Sequence, residues 1–125
     1  MLTGQTISVV DDDESLRWAL QGLLKSAGFQ SEAFASAEEF LDSGRLHDTA
    51  CLVLDVRMAG ITGLELQKQL LAAGWTTPII FITANSGEEA RAHALRRGAI
   101  DFLPKPFSAE ALLSAIATAI GIPPG

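Results

Sequence analysis

Three short aliphatic runs, Ile7-Ser8-Val9-Val10, Cys51-Leu52-Val53-Leu54 and Ile79-Ile80-Phe81-Ile82, are separated by stretches of helical periodicity. Successive side chains of a strand point to opposite sides, so a strand that is apolar at nearly every position has to be covered on both faces. Such runs alternating with amphipathic helices specify a parallel sheet between two helical layers. With two weaker runs added, the pattern predicts strands over 6–10, 30–34, 51–55, 79–83 and 100–103. Helices are predicted near 13–27, 37–43, 63–73, 87–97 and 109–120. Leu16, Leu20, Leu23, Leu24 and Ala27 make one apolar stripe on the first helix, and Leu112, Leu113, Ile116, Ala117 and Ile120 make one on the last.

The punctuation agrees with this segmentation. Ser36/Glu39, Thr62/Glu65 and Ser86/Glu89 have capping-box spacing, in which hydroxyl and carboxylate satisfy the unpaired amides of a helix start. Gly28, Gly74 and Gly98 fall where helices should stop. The expected architecture is a five-fold βα repeat in one α/β domain, an ordinary size for 125 residues. The tail at 121–125, Gly-Ile-Pro-Pro-Gly, cannot continue the last helix and reads as the start of a linker.

Charge and cysteine usage narrow the function. A net charge of -6 argues against this domain gripping nucleic acid by itself and suits a cation or a basic partner. The single cysteine, Cys51, excludes an internal disulfide framework, and its apolar run predicts a buried thiol. No window approaches the roughly 18 apolar residues of a membrane span. The first residues, Met1 to Gln5, lack the basic-then-apolar order of a signal peptide. A soluble, cytoplasmic domain with no membrane partner is expected.

In open parallel sheets, sites form at the carboxyl ends of the strands. Asp11 and Asp12 follow the first run, Asp55 closes the third, Thr83 closes the fourth and Lys105 follows the fifth, so all five should share one edge. Three carboxylates crowded there repel one another unless a cation joins them. Hard oxygen donors with room for water suit Mg²⁺, whereas Cys51, His47 and His93 make no zinc set. Asp13 reads as a helix cap rather than a ligand.

Four segments carry a resemblance: Val10-Asp11-Asp12-Asp13-Glu14, Leu54-Asp55-Val56-Arg57-Met58, Ile82-Thr83-Ala84, and Asp101-Phe102-Leu103-Pro104-Lys105-Pro106-Phe107. In this order and at these separations the chain resembles a two-component response-regulator receiver domain over nearly its full length. The Asp-Val-Arg-Met and Asp-Phe-Leu-Pro-Lys-Pro-Phe wording is most similar to the FixJ-type group, whose members often carry a DNA-binding output domain of LuxR/NarL-like class. The resemblance implies a flavodoxin- or CheY-like (βα)5 fold with strand order 2-1-3-4-5. It implies a receiver over 1–120, with 121–125 leading to an output domain.

The resemblance also implies roles. Asp55 is expected to be the phosphoacceptor, taking its phosphoryl group from a sensor histidine kinase. Mg²⁺ (or Mn²⁺) is expected on Asp12 and Asp55 side chains, with Asp11 acting through water and the Arg57 backbone carbonyl completing the shell. Lys105 and Thr83 are expected to contact phosphoryl oxygens, and the Lys105–Pro106 bond to be cis. Thr83 and Phe102 are the expected switch pair, acting on the face of the fourth helix, fifth strand and fifth helix, with homodimerisation on phosphorylation. DNA is expected to be reached only through the output domain.

The sequence departs from the family pattern at Ala59 and Phe102. Ala59 replaces a usual proline, which should loosen the loop after Asp55. Phe102 lacks a hydroxyl, so a switch there must be steric, and Arg57 and Asn85 occupy the two variable positions that tune phosphoryl lifetime. Trp18 lies off the first helix's stripe and is expected to be exposed, as a surface aromatic or a kinase contact. Trp75 reads as a loop anchor, and His47 and His93 as solvated. Arg91, Arg96 and Arg97 read as a polar face or as ion pairs across a dimer. Two rival functions remain: a receiver-like scaffold indifferent to phosphate, and an aspartyl-nucleophile phosphatase. The phosphatase needs an acid two residues after the nucleophile, where this chain has Arg57.

Overall fold

The structure, a computed structural model, describes residues 6–84 and 87–121. Five parallel strands are ordered β2-β1-β3-β4-β5: β1 Thr6–Val10, β2 Gln30–Phe34, β3 Thr49–Asp55, β4 Ile79–Thr83 and β5 Asp101–Pro104. Between and after them run α1 Glu14–Ser26, α2 Ala37–Asp42, α3 Gly63–Ala72, α4 Glu88–Arg96 and α5 Ala109–Ile120. This is the (βα)5 arrangement and strand order expected.

The period-two alternation of the central strands sorts their side chains into two cores. Val10, Leu52, Leu54, Ile79, Phe81 and Phe102 pack with Phe40 of α2, Leu66 and Leu70 of α3 and Ala94 of α4. Ile7, Val9, Cys51, Val53, Ile80 and Ile82 pack with Leu20 and Leu24 of α1 and Leu112, Ala115 and Ile116 of α5. Each fully buried aliphatic or phenyl side chain contributes about 1.5–3 kcal/mol, so β1, β3 and β4 form the rigid centre on which loops are mounted. Cys51 is buried within this centre, and burial pushes its thiol up to about 12. A thiol-alkylating reagent at pH 8 is therefore expected to leave the native domain unlabelled and to label it once in denaturant; rapid native labelling would contradict this burial.

One helix start is the capping box expected, and two differ. Thr62 and Glu65 form a complete capping box, with the Glu65 N–H donating to Thr62 Oγ1 at 3.2 Å and the Thr62 N–H to Glu65 Oε1 at 3.0 Å. Hydrogen bonding to the Glu65 carboxylate by the Thr62 N–H, foremost, and by the Thr62 side chain holds that carboxyl below its usual value. Ser36 caps α2, but the Glu39 carboxylate reaches back one residue further, to the Ala35 N–H at 3.4 Å. At α4 the N-cap position is Gly87, which has no side chain to cap with; Ser86 lies outside the described residues, as do Asn85 and the tail from Ile122. Gly28, Gly74 and Gly98 all have φ near +90°, a backbone conformation that a Cβ disfavours.

Some bounds shift for physical reasons. β3 begins at Thr49, before the first aliphatic residue, because the polar pair there is satisfied inside the fold: Thr49 Oγ1 donates to the Arg45 carbonyl at 2.8 Å and accepts from Ser8 Oγ at 2.7 Å. A single 3-10 turn, Arg45–Asp48, precedes it. α1 stops at Ser26, so Ala27 becomes its exposed C-cap rather than part of the apolar stripe. On α5, Ala115 is buried while Ala117 is only half-buried. Trp18 is 80% exposed, and Trp75 packs half-buried with its ring edge-on to exposed His47 at 5.0 Å. His93 and Arg97 are half-buried, whereas Arg91 and Arg96 are exposed.

Candidate functional site

Because β1, β3, β4 and β5 run in one direction, their carboxyl ends share an edge. Asp11 and Asp12 follow β1, Asp55 is the last residue of β3, Thr83 the last of β4, and Lys105 comes just after β5. One oxygen from each of Asp11, Asp12 and Asp55 lies within 4.8 Å of the others. Asp11 and Asp55 are buried and Asp12 is exposed, so the cluster opens to solvent on the Asp12 side.

Asp11 is the hub of this edge, and all four of its polar groups are engaged. Its N–H donates to the Phe34 carbonyl at 3.1 Å, and its Oδ1 accepts from the Asp13 N–H at 2.9 Å. Its Oδ2 accepts from Lys105 Nζ at 2.9 Å, and its carbonyl accepts from the Arg17 guanidinium at 2.8 Å. Asp13 also accepts from the Leu16 N–H at 3.2 Å, which makes it the α1 cap the sequence predicts. Lys105 Nζ lies 3.7 Å from Asp55 Oδ2, so one ammonium stands between two buried carboxylates.

Asp55 Oδ1 accepts from the Arg57 N–H at 3.3 Å. Burial, followed by the Asp11 charge, raises the Asp55 carboxyl from 3.8 to about 6, against the opposing pull of Lys105 and the Arg57 amide; Asp12 adds a smaller upward push. Three carboxylates facing one ammonium leave the edge short of positive charge. The donor set is all hard oxygen, with a solvent-facing member beside which water can complete a coordination shell, and this fits a hard divalent cation.

The remaining expected residues fall around this centre. Thr83 is fully buried, and its carbonyl accepts from the Lys105 N–H at 2.7 Å. Phe102 is buried opposite Phe81 on the neighbouring strand, ring centroids 5.9 Å apart. The Lys105–Pro106 peptide is cis. Arg57 is exposed, with its amide on the Asp55 carboxylate.

Three neighbours of the site escape a reading of the sequence. Arg17 grips the Asp11 carbonyl from α1. Glu38 of α2 accepts from the Ile61 N–H at 3.2 Å, a contact with the loop that follows Asp55. Gly63, at the start of α3, donates to the Val56 carbonyl at 3.0 Å and lies so close to the Asp55 carbonyl that a Cβ would collide with it. Only Gly63 leaves a trace in the sequence, as a poor helix former placed directly after a capping threonine.

The family model of the response regulator receiver domain matches residues 7–117. Response regulator protein TmoT of Ectopseudomonas mendocina is 44% identical over 119 residues, covering 94% of this chain and 54% of TmoT. The solved structure of the response regulator StyR is similar at TM-score 0.87 and 49% identity, covering 94% of this chain and 59% of StyR. FixJ-N is similar at TM-score 0.84 and 33% identity, covering 94% of both chains. The chain spans about half the length of the curated relatives it matches, 52% of both the transcriptional regulatory protein TdiR and nodulation protein W.

Proposed function

We propose that this chain, which belongs to the response-regulator receiver family, accepts a phosphoryl group on Asp55 from a sensor histidine kinase. One observation carries the reading: the buried Asp55 carboxylate shares its strand edge with Asp11, Asp12 and the Lys105 ammonium. An Asp55 oxygen attacks the phosphorus of a phosphohistidine, the P–N bond breaks, and the imidazole leaves with the electron pair and takes up a proton. Attack needs the ionised carboxylate, which Lys105 at 3.7 Å and the Arg57 amide favour.

Asp12 and Asp55 side chains, Asp11 through water and the Arg57 carbonyl would hold Mg²⁺ (or Mn²⁺), which when bound offsets charge on the phosphoryl oxygens. Lys105 pairs with a second phosphoryl oxygen as a compact point charge. The Thr83 hydroxyl bonds a third and is drawn toward Asp55, leaving room that Phe102 fills by packing alone. Such a rearrangement alters the face of α4, β5 and α5. Moving from 1% to 99% active needs about 5.5 kcal/mol of differential stabilisation, within reach of a few charge-assisted hydrogen bonds.

The output belongs to the same proposal. A receiver over 1–120 leads through 121–125 toward a DNA-binding domain, and the phosphorylated receiver forms a homodimer through the altered face. Relatives named as transcriptional regulators, TdiR and FixJ, support that direction. Among the described residues no helix is long and apolar enough to cross a membrane, which suits a cytoplasmic partner of a kinase. A scaffold indifferent to phosphate has no use for the carboxylate trio and its lysine, and Arg57 stands where a phosphatase needs its second acid.

The test is incubation with Mg²⁺ and acetyl phosphate followed by intact mass. Wild type is expected to gain one labile phosphoryl group and Asp55→Asn none. A wild type that gains nothing, or an Asp55→Asn variant labelled at the wild-type rate, contradicts the proposal.

A further inference from the structure

Arg17 lies on the first turn of α1, and its guanidinium donates to the Asp11 carbonyl at 2.8 Å. That carbonyl belongs to the peptide linking buried Asp11 to exposed Asp12. The Asp11 side chain is already held by the Asp13 N–H and Lys105. The Asp12 carboxylate, by contrast, has no hydrogen bond or ion pair among the described residues, so its direction depends on the backbone that carries it. Arg17 likewise forms no ion pair among the described residues. The one observed bond of its guanidinium among the described residues is to that backbone.

We propose that Arg17 is a positioning residue for the acceptor site. By fixing the peptide between Asp11 and Asp12, it turns the Asp12 carboxylate toward Asp55 and so sets the affinity of the edge for a divalent cation. The inference rests on the metal-assisted reading of the site given above. Its consequence has a definite sign. A guanidinium acting only as a nearby positive charge repels a cation, and its removal strengthens binding. A guanidinium acting through the carbonyl hydrogen bond does the opposite, because its removal lets the exposed Asp12 carboxylate turn away from Asp55.

The experiment is calorimetric titration of the unphosphorylated domain with Mg²⁺, comparing wild type, Arg17→Met and Arg17→Lys, with thermal unfolding of each metal-free protein as the check on folding. Arg17→Met is expected to bind Mg²⁺ about 5-fold more weakly, the loss of roughly one hydrogen bond. Arg17→Lys keeps a charged donor and is expected to fall within about 2-fold of wild type. Phosphorylation by acetyl phosphate at saturating Mg²⁺ should stay within about 2-fold of wild type for both, separating metal affinity from the chemical step. Unchanged or tighter Mg²⁺ binding by Arg17→Met overturns the inference. Should that variant not fold, Arg17→Gln is read by the same rule. A wild type that binds no Mg²⁺ overturns the metal-assisted reading and the inference with it, whereas normal wild-type binding with unaffected variants overturns the inference alone.

Discussion

Replacing Gly63 by alanine is expected to destabilise the domain by about 3 kcal/mol or more and to weaken every function of Asp55. Gly63 opens α3, and its N–H donates to the Val56 carbonyl at 3.0 Å. An added Cβ would meet the Asp55 carbonyl oxygen and carbon and the Val56 Cα, all of them backbone atoms. Backbone cannot rotate away as a side chain can, so either α3 or the end of β3 has to move, and the end of β3 carries Asp55. Gly22, exposed in the middle of α1 with nothing within 4 Å of an added Cβ, is the internal control. Gly22→Ala should stabilise by about 0.5–1 kcal/mol through helix propensity alone. Urea denaturation of both variants reads the contrast. A Gly63→Ala protein within about 1 kcal/mol of wild type would mean that α3 does not approach β3 as closely as described.

The second large effect is on pH dependence in the metal-free protein. Burial, and after it the Asp11 charge, raises the Asp55 carboxyl from 3.8 to about 6. The folded state therefore holds this proton more tightly than the unfolded state. Stability from this group is fully present below about pH 3.8 and is lost as pH rises through about 6. The loss is on the order of 2–3 kcal/mol, since a tenfold change in proton affinity corresponds to about 1.4 kcal/mol. Asp55→Asn removes the ionisation, so in EDTA it should exceed wild type in stability by that order at pH 7–8 and approach it near pH 4. Adding Mg²⁺ should narrow the gap by stabilising wild type in proportion to its occupancy. Urea midpoints across the pH range check this; a gap that does not widen with pH would show that Asp55 is not crowded as described.

The parts of this domain that were legible in the sequence share one property: they are set by side-chain pattern along a single element. The unbroken apolar runs at Ile79–Ile82 and Cys51–Leu54 announced strands covered on both faces, and parallel order then placed Asp11, Asp55, Thr83 and Lys105 at one edge. Asp13 and Thr62 announced helix starts because their hydroxyl or carboxyl groups bond amides three residues away. The illegible parts depend on contacts between distant segments or on where an element stops. Thr49 joins β3 because Ser8, 41 residues away, pairs with its hydroxyl, which no local propensity reveals. Ala27 has the spacing of the α1 stripe yet is exposed, because the helix stops one residue earlier.

The site divides in the same way. Its charged side chains were readable from their places at strand ends. Arg17 and Glu38 were not, because each acts on a main-chain group, the Asp11 carbonyl and the Ile61 N–H. A main-chain partner outside the helix's own first turn has no residue-type signature. The loop after Asp55 illustrates the consequence: the Ile61 N–H there is bonded by a carboxylate from α2, 23 residues away.

The central claim is that Asp55, and no other carboxylate of the trio, receives the phosphoryl group. Borohydride reduces an aspartyl phosphate to homoserine and leaves ordinary carboxylates untouched, so it marks the acceptor covalently. Treating the phosphorylated domain with borohydride and sequencing its peptides by mass spectrometry should find homoserine in place of Asp55 alone. Reduction at Asp11 or Asp12, or no reduction anywhere in a protein that has gained a phosphoryl group, would contradict the claim.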